Sequence, residues 1–159
     1  MRVICFHNPD EENGYLSNWC MSYFEFDGIR FSSMEQYMMY KKAVCFQDQG
    51  VAQRILATDD VAEIKSLGRA VSGYDDHYWN GVRQIIVYDG LIAKFSQNED
   101  LKSALIGTRE SLLAERAVKD KIWGIGLSMD DPDRSDPSKW KGQNLLGYAL
   151  MMVRNKLSE

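Results

Sequence analysis

Glu35 and Lys42 stand seven positions apart in the stretch Phe31-Ser-Ser-Met-Glu-Gln-Tyr-Met-Met-Tyr-Lys-Lys-Ala43. In a helix, seven steps of about 100° return to within about 20° of the start, so this acid and this amine share one stripe, two turns apart. Met34, Tyr37, Met38, Met39, Tyr40, Ala43 and Val44 fill most of the remaining circumference. A helix this apolar is normally buried, and its charges then need a reason to be there. An acid and an amine held together out of water form a pair suited to moving protons and, where the amine is unprotonated, to nucleophilic attack.

Each residue also has a plainer reading. Ser32-x-x-Glu35 fits a capping box, and Ser33-x-x-Gln36 fits one a single register later. A lysine such as Lys42 commonly lays its stem along apolar surface and sends the ammonium to water. Lys41, about 120° from Glu35 on the helical wheel, is the poorer partner. What singles out Glu35 and Lys42 is their occurrence together on one stripe of an apolar helix.

The rest of the chain bounds what such a pair can serve. With 159 residues and 18.3 kDa, the sequence reads as a single domain over 1–159. No run approaches the roughly 18 apolar residues of a membrane span. The opening Met-Arg-Val-Ile-Cys-Phe-His reads as a first strand rather than a signal peptide, which makes a cytoplasmic location the expectation. Cys5, Cys20 and Cys45 are odd in number and widely spaced, and read as free thiols among apolar neighbours. With only His7 and His77 besides, neither a metal nor an organic cofactor is implied. The net charge of −4 argues against a protein that tracks nucleic acid by counterion release. A local basic cluster, Arg134, Lys139 and Lys141 around Trp140, is the one exception.

The elements that must hold the pair can be read in order. Asp27-Gly28 between two alternating runs predicts a type I′ hairpin over Tyr23–Phe31. The apolar helix follows over about 33–46. Shorter helices are expected at 49–57 and 60–67, the second opened by Asp60-x-x-Glu63 and closed by Gly68. A longer one is expected over 76–95, although Gly81 and Gly90 weaken it. Asn98 is expected to cap a helix to Ile106, residues 112–117 to form a strand, and Asn144 to cap a final helix over 145–157. The polar stretch 128–142 reads as a loop. Together these give an α+β fold, mostly helical, with a small antiparallel β element.

Four islands combine glycine, aromatic and polar residues where packing alone does not call for them: Ser17-Asn18-Trp19, Gly68-Arg69, Glu115-x₄-Asp120-x₂-Trp123-Gly124-x-Gly126, and Gly142-x-Asn144-x₂-Gly147-x₂-Leu-Met151-x₂-Arg154. Singly they read as core, turn, cap and helix-dipole residues. Their joint order, with the aromatic hairpin and the Glu35–Lys42 helix, resembles the NADAR family from about Asn13 to Lys156. One departure is Gln36, where many relatives carry His or an aromatic residue.

The resemblance implies cleavage of an N-glycosidic bond between a base or amine and a phosphorylated ribose. Family members are associated with ribosylamino-pyrimidine intermediates of riboflavin synthesis, and others with removing ADP-ribose from guanine. On that basis Glu35, or Asp120 as the alternative, acts as acid/base and Lys42 forms a Schiff base with C1′ of the sugar. Trp19 and Trp123 stack on the base or close the pocket, Arg69 binds phosphate, the amide of Gly124 approaches the ligand, and Asn18 and Asn144 bond ribose or base edges. The expected partner is a small ribosyl-phosphate or ADP-ribosyl substrate; nucleic acid enters only as an ADP-ribosylated substrate, and a membrane not at all. A non-catalytic ADP-ribose-binding module is the competing expectation.

Overall fold

The structure, a computed structural model, describes all of residues 1–159, and the chain divides into two compact units. One comprises Met1–Cys20 and Glu99–Glu159, the other Met21–Asn98.

The Met21–Asn98 unit opens on the hairpin. Strand β2 (Met21–Phe26) pairs antiparallel with β3 (Ile29–Ser33), and Asp27 and Gly28 at the turn both take positive φ, 51° and 78°. That is the twist a two-residue type I′ turn imposes, and it is why Asp-Gly is found there. Helix α1 (Met34–Cys45) starts directly from β3 and is packed by α2 (Gln49–Leu56), α3 (Val61–Arg69), α4 (Asp76–Ser96) and β3 itself. Its whole first two turns, Met34 to Met39, are buried. Tyr37 is the hub: Phe24, Phe26 and Phe31 meet its ring edge-on at centroid distances of 5.2–5.8 Å, and its hydroxyl donates to the Ile86 carbonyl at 2.7 Å.

Two local expectations are corrected in this unit. Helix α3 does not stop at Gly68 but runs through it to Arg69. A Cβ at Gly68 would overlap the Met39 sulfur, so this glycine serves the close approach of α3 to α1 rather than termination. Asn98 turns its amide back, donating to the Lys94 carbonyl at 2.8 Å and the Tyr23 carbonyl at 3.0 Å, and so ties the end of α4 to the hairpin. Helix α4 itself is continuous through Gly81 and Gly90.

The other unit contains a strand pairing the sequence did not disclose. Strand β1 (Val3–Phe6) pairs in parallel with β4 (Leu112–Glu115), alongside the expected antiparallel hairpin of the first unit. Helix α5 (Glu99–Gly107) packs on α6 (Leu145–Leu157), which lies against β4. Ala114, Ile125 and Leu127 form a buried cluster joined by Val3, Cys5 and Trp140. Residues 128–142 are not featureless: Asp131 and Asp136 cap two 3₁₀ turns, Pro132–Ser135 and Pro137–Lys139, each with proline in its first turn.

Cys5, Cys20 and Cys45 are free thiols, each half-buried. No helix is long and apolar enough to cross a membrane.

Candidate active site

The capping ambiguity at the start of α1 is decided by Gln36. Ser33 is the N-cap, its hydroxyl accepting from the Gln36 amide at 3.1 Å. The Gln36 side chain accepts from the Ser32 amide and hydroxyl at 2.7 and 3.0 Å and donates to the carbonyls of Ile55 and Thr58 at 3.0 and 2.9 Å. Every hydrogen-bonding function of that amide is therefore used to join the helix start to the end of α2. Replacing Gln36 with Ala leaves the buried Ser32 amide and two carbonyls without their partner. A loss of roughly 2–4 kcal/mol in urea unfolding is expected.

With the second capping register occupied, the cap needs nothing from Glu35. Glu35 as a residue is 5 % exposed, on the stripe that leads to Lys42. Lys42 is half-buried and makes no ion pair; its ammonium lies 4.6 Å from the centre of the Tyr74 ring. Burial pulls the Lys42 pKa below the ordinary lysine value, against an opposing upward pull from Glu35; Arg69 adds to the lowering and Asp76 to the raising. Desolvation thus outweighs the carboxylate, which is the condition for an amine to be available as a nucleophile. Arg69 itself is exposed in the last turn of α3.

A second amine is more deeply placed. Lys94, in the last turn of α4, is fully buried at 0 % exposure, with its ammonium 5.0 Å from the Phe95 ring centre.

The remaining sequence-selected residues, Asn18, Trp19, Asp120, Trp123, Gly124 and Asn144, belong to the other unit. Asn18 is 7 % exposed and its side-chain oxygen is sealed from water without a hydrogen-bond partner. An orphaned buried acceptor is costly, and a hydroxyl or N–H of a ligand would relieve it. Trp19 and Trp123 are half-buried.

Asp120 and Asn144 have local duties. Asp120 accepts from the Ile122 and Trp123 amides at 3.0 and 2.9 Å, forming the turn that presents Trp123. Asn144 precedes α6 in the left-handed region at φ 53° and does not cap it through its side chain. Instead its amide bridges β4, accepting from the Glu115 N–H at 3.1 Å and donating to the Leu113 carbonyl at 2.8 Å. Fully buried and bonded on both sides, it positions β4 rather than offering an edge to a ligand. Gly124 is likewise explained within the chain: its carbonyl accepts from Asn144 at 3.0 Å, and Gly142 passes so close to it that a Cβ there would strike that carbonyl.

Two of the three cations of the 128–142 cluster are engaged by partners within the segment. Arg134 donates to the Asp131 carbonyl at 3.0 Å, and Lys139 pairs with Asp133 at 3.1 Å. No group of three or more His, Cys, Asp or Glu side chains is placed to hold a metal.

The NADAR domain model matches residues 5–158. The chain is a member of the NADAR family. It is 39 % identical to N-glycosidase R617 of Acanthamoeba polyphaga mimivirus, over 98 % of this chain and 96 % of that protein. It is 37 % identical to Protein irg-1 of Caenorhabditis elegans, of whose length it covers 62 %. Among solved structures, the NMR structure of the E. coli protein YbiA matches with a TM-score of 0.82 at 27 % identity, over 99 % of this chain and 85 % of that one.

In this NADAR chain the residue that sequence reasoning passed over is Lys94. The signal was present: Val87, Leu91 and Lys94 fall at i, i+4 and i+7, and the first two are fully buried. The spacing that drew attention to Glu35 and Lys42 applies equally to a lysine on an otherwise apolar stripe.

Proposed function

We propose that this chain, an N-glycosidase by family, hydrolyses the bond between an amine or base nitrogen and C1′ of a phosphorylated ribose, of the ribosylamino-pyrimidine phosphate class. The observation that carries the reading is Lys42, a half-buried amine whose pKa is lowered by burial on the stripe shared with buried Glu35. The full-length similarity to a protein named N-glycosidase R617 supports the bond type. The 31 % identity over 156 residues to "Riboflavin biosynthesis protein VVA0006" of Vibrio vulnificus supports the substrate class, the chain covering 39 % of that protein.

The chemistry balances with water as the only co-reactant. Glu35 protonates the ring oxygen as the nitrogen lone pair opens the sugar, leaving an iminium carbon at C1′. The neutral Lys42 amine adds to that carbon, its proton passes to the departing nitrogen, and the base or amine leaves with the electrons of the broken C1′–N bond. Water then adds to the protonated lysine imine, the proton released passes back to Glu35, and loss of the neutral Lys42 amine frees open-chain ribose phosphate. Arg69, cationic and exposed close to Lys42, holds the substrate phosphate.

The test places two substrates side by side, ribosylamino-pyrimidine 5′-phosphate and ADP-ribosyl-guanosine, and follows release of ribose phosphate or ADP-ribose by chromatography. Release from the first alone is expected. Release from the second alone would make the chain an ADP-ribosyl-guanine hydrolase, and binding of ADP-ribose without release from either would make it a binding module.

A further inference from the structure

Three buried arginines invite comparison. Arg154 donates to the Thr108 hydroxyl at 2.9 Å and the Ser111 carbonyl at 2.8 Å, fastening α6 to the start of β4. Arg83 donates to the Asn80 side chain at 2.6 Å. Arg116 is as deeply buried, at 6 % exposure, and differs from both. In all three the Nε is sealed from water without a hydrogen-bond partner, but Arg83 and Arg154 donate to the protein through Nη1, whereas no hydrogen bond or ion pair ties the Arg116 guanidinium to the chain. A guanidinium never gives up its charge in a protein, so it cannot relieve this burial by neutralising. An unpaired buried cation is expensive and needs an anion.

Its place in the fold is also that of a binding group. Arg116 immediately follows β4, and its backbone N–H donates to the Phe6 carbonyl at 2.8 Å, so it continues the parallel ladder at the carboxyl ends of both strands. Ligands of parallel sheets are bound beyond that edge. Two residues on from Ala114, which packs with Ile125 and Leu127, Arg116 falls on the same side by strand alternation.

We propose that Arg116 is the anchor of a phosphate-binding site at the carboxyl end of the β1–β4 pair, taking a phosphate monoester through the planar fork of its guanidinium. Bidentate geometry and a fixed charge are what distinguish arginine from lysine in such a role. The inference is independent of the glycosidase reading, because it concerns binding and not turnover.

The experiment titrates the full chain, labelled with ¹⁵N, with inorganic phosphate, ribose 5-phosphate and ribose, following the Arg116 Nε–Hε resonance, which is identified by its loss in Arg116→Lys. Both phosphates are expected to shift that resonance saturably and ribose to leave it in place; tighter binding of ribose 5-phosphate would assign a sugar phosphate as the ligand, and equal binding free phosphate. Arg116→Lys should weaken the interaction by roughly tenfold or more, as a point charge replaces a fork. No shift with either phosphate, the same shift with ribose, or undiminished binding by the lysine variant overturns the proposal. Should the variant not fold, the wild-type titration decides alone, with selective ¹⁵N-arginine labelling and the buried Nε–Hε protection used for assignment. Absence of glycoside turnover with this titration intact would reject the glycosidase mechanism and leave the phosphate site standing.

Discussion

Lys42→Ala is expected to lower N-glycosidase turnover by at least about 10³-fold while leaving the fold intact. The lysine makes no ion pair, and its ammonium contacts the Tyr74 ring at 4.6 Å, an interaction worth about 1 kcal/mol at a half-exposed site. Its removal therefore costs little stability, and thermal melting by circular dichroism should move only slightly. Lys42→Arg should be as inactive as the alanine variant, because a guanidinium keeps the charge and cannot act as an amine nucleophile. Activity in the arginine variant within a few-fold of wild type would show that Lys42 serves only as a positive charge.

Glu35→Gln should lower the rate by roughly 10²–10⁴-fold, the range for loss of a positioned acid/base, and should also move the pH profile in a stated direction. The Lys42 pKa is set by burial, which lowers it, opposed by Glu35, which raises it. Removing the Glu35 charge leaves burial and Arg69 less opposed, so the Lys42 pKa falls further. The amine is then neutral at lower pH, and the acid limb of the residual activity shifts downward. A residual profile that keeps its wild-type acid limb would contradict the assignment of that limb to Lys42. A limb moved upward would mean that the carboxylate at position 35 acts on another group.

How far these features could be read from residues alone depended on whether their cause was local. Asp27-Gly28 fixes its turn by its own φ preferences, and α4 and α6 follow from their apolar periodicity, so each was legible. The parallel pairing of β1 with β4 was not, because parallel partners lie far apart in sequence and carry no turn signal. Gly68 reads locally as a helix stop, and the deciding contact with Met39 comes from another helix. Asn144 reads as a cap for the same reason, whereas its side chain answers to β4.

Within the candidate site, spacing was enough to select Glu35 and Lys42. It could not tell which serine–acid or serine–amide pair caps α1. That follows from the partners of Gln36 on α2 and just beyond it, which no one-dimensional pattern contains. Lys94 and Arg116 escaped notice because a lone cation in a sequence is normally solvated, and only burial reveals the exception.

The central claim is a covalent lysine intermediate at position 42, and reductive trapping tests it most directly. The enzyme is turned over on ribosylamino-pyrimidine 5′-phosphate in the presence of borohydride, digested, and the modified peptide located by mass spectrometry. The account predicts a reduced ribose-phosphate adduct on Lys42, absent from Lys42→Ala. An adduct on the fully buried Lys94, or continued turnover with no adduct on any lysine, would contradict it.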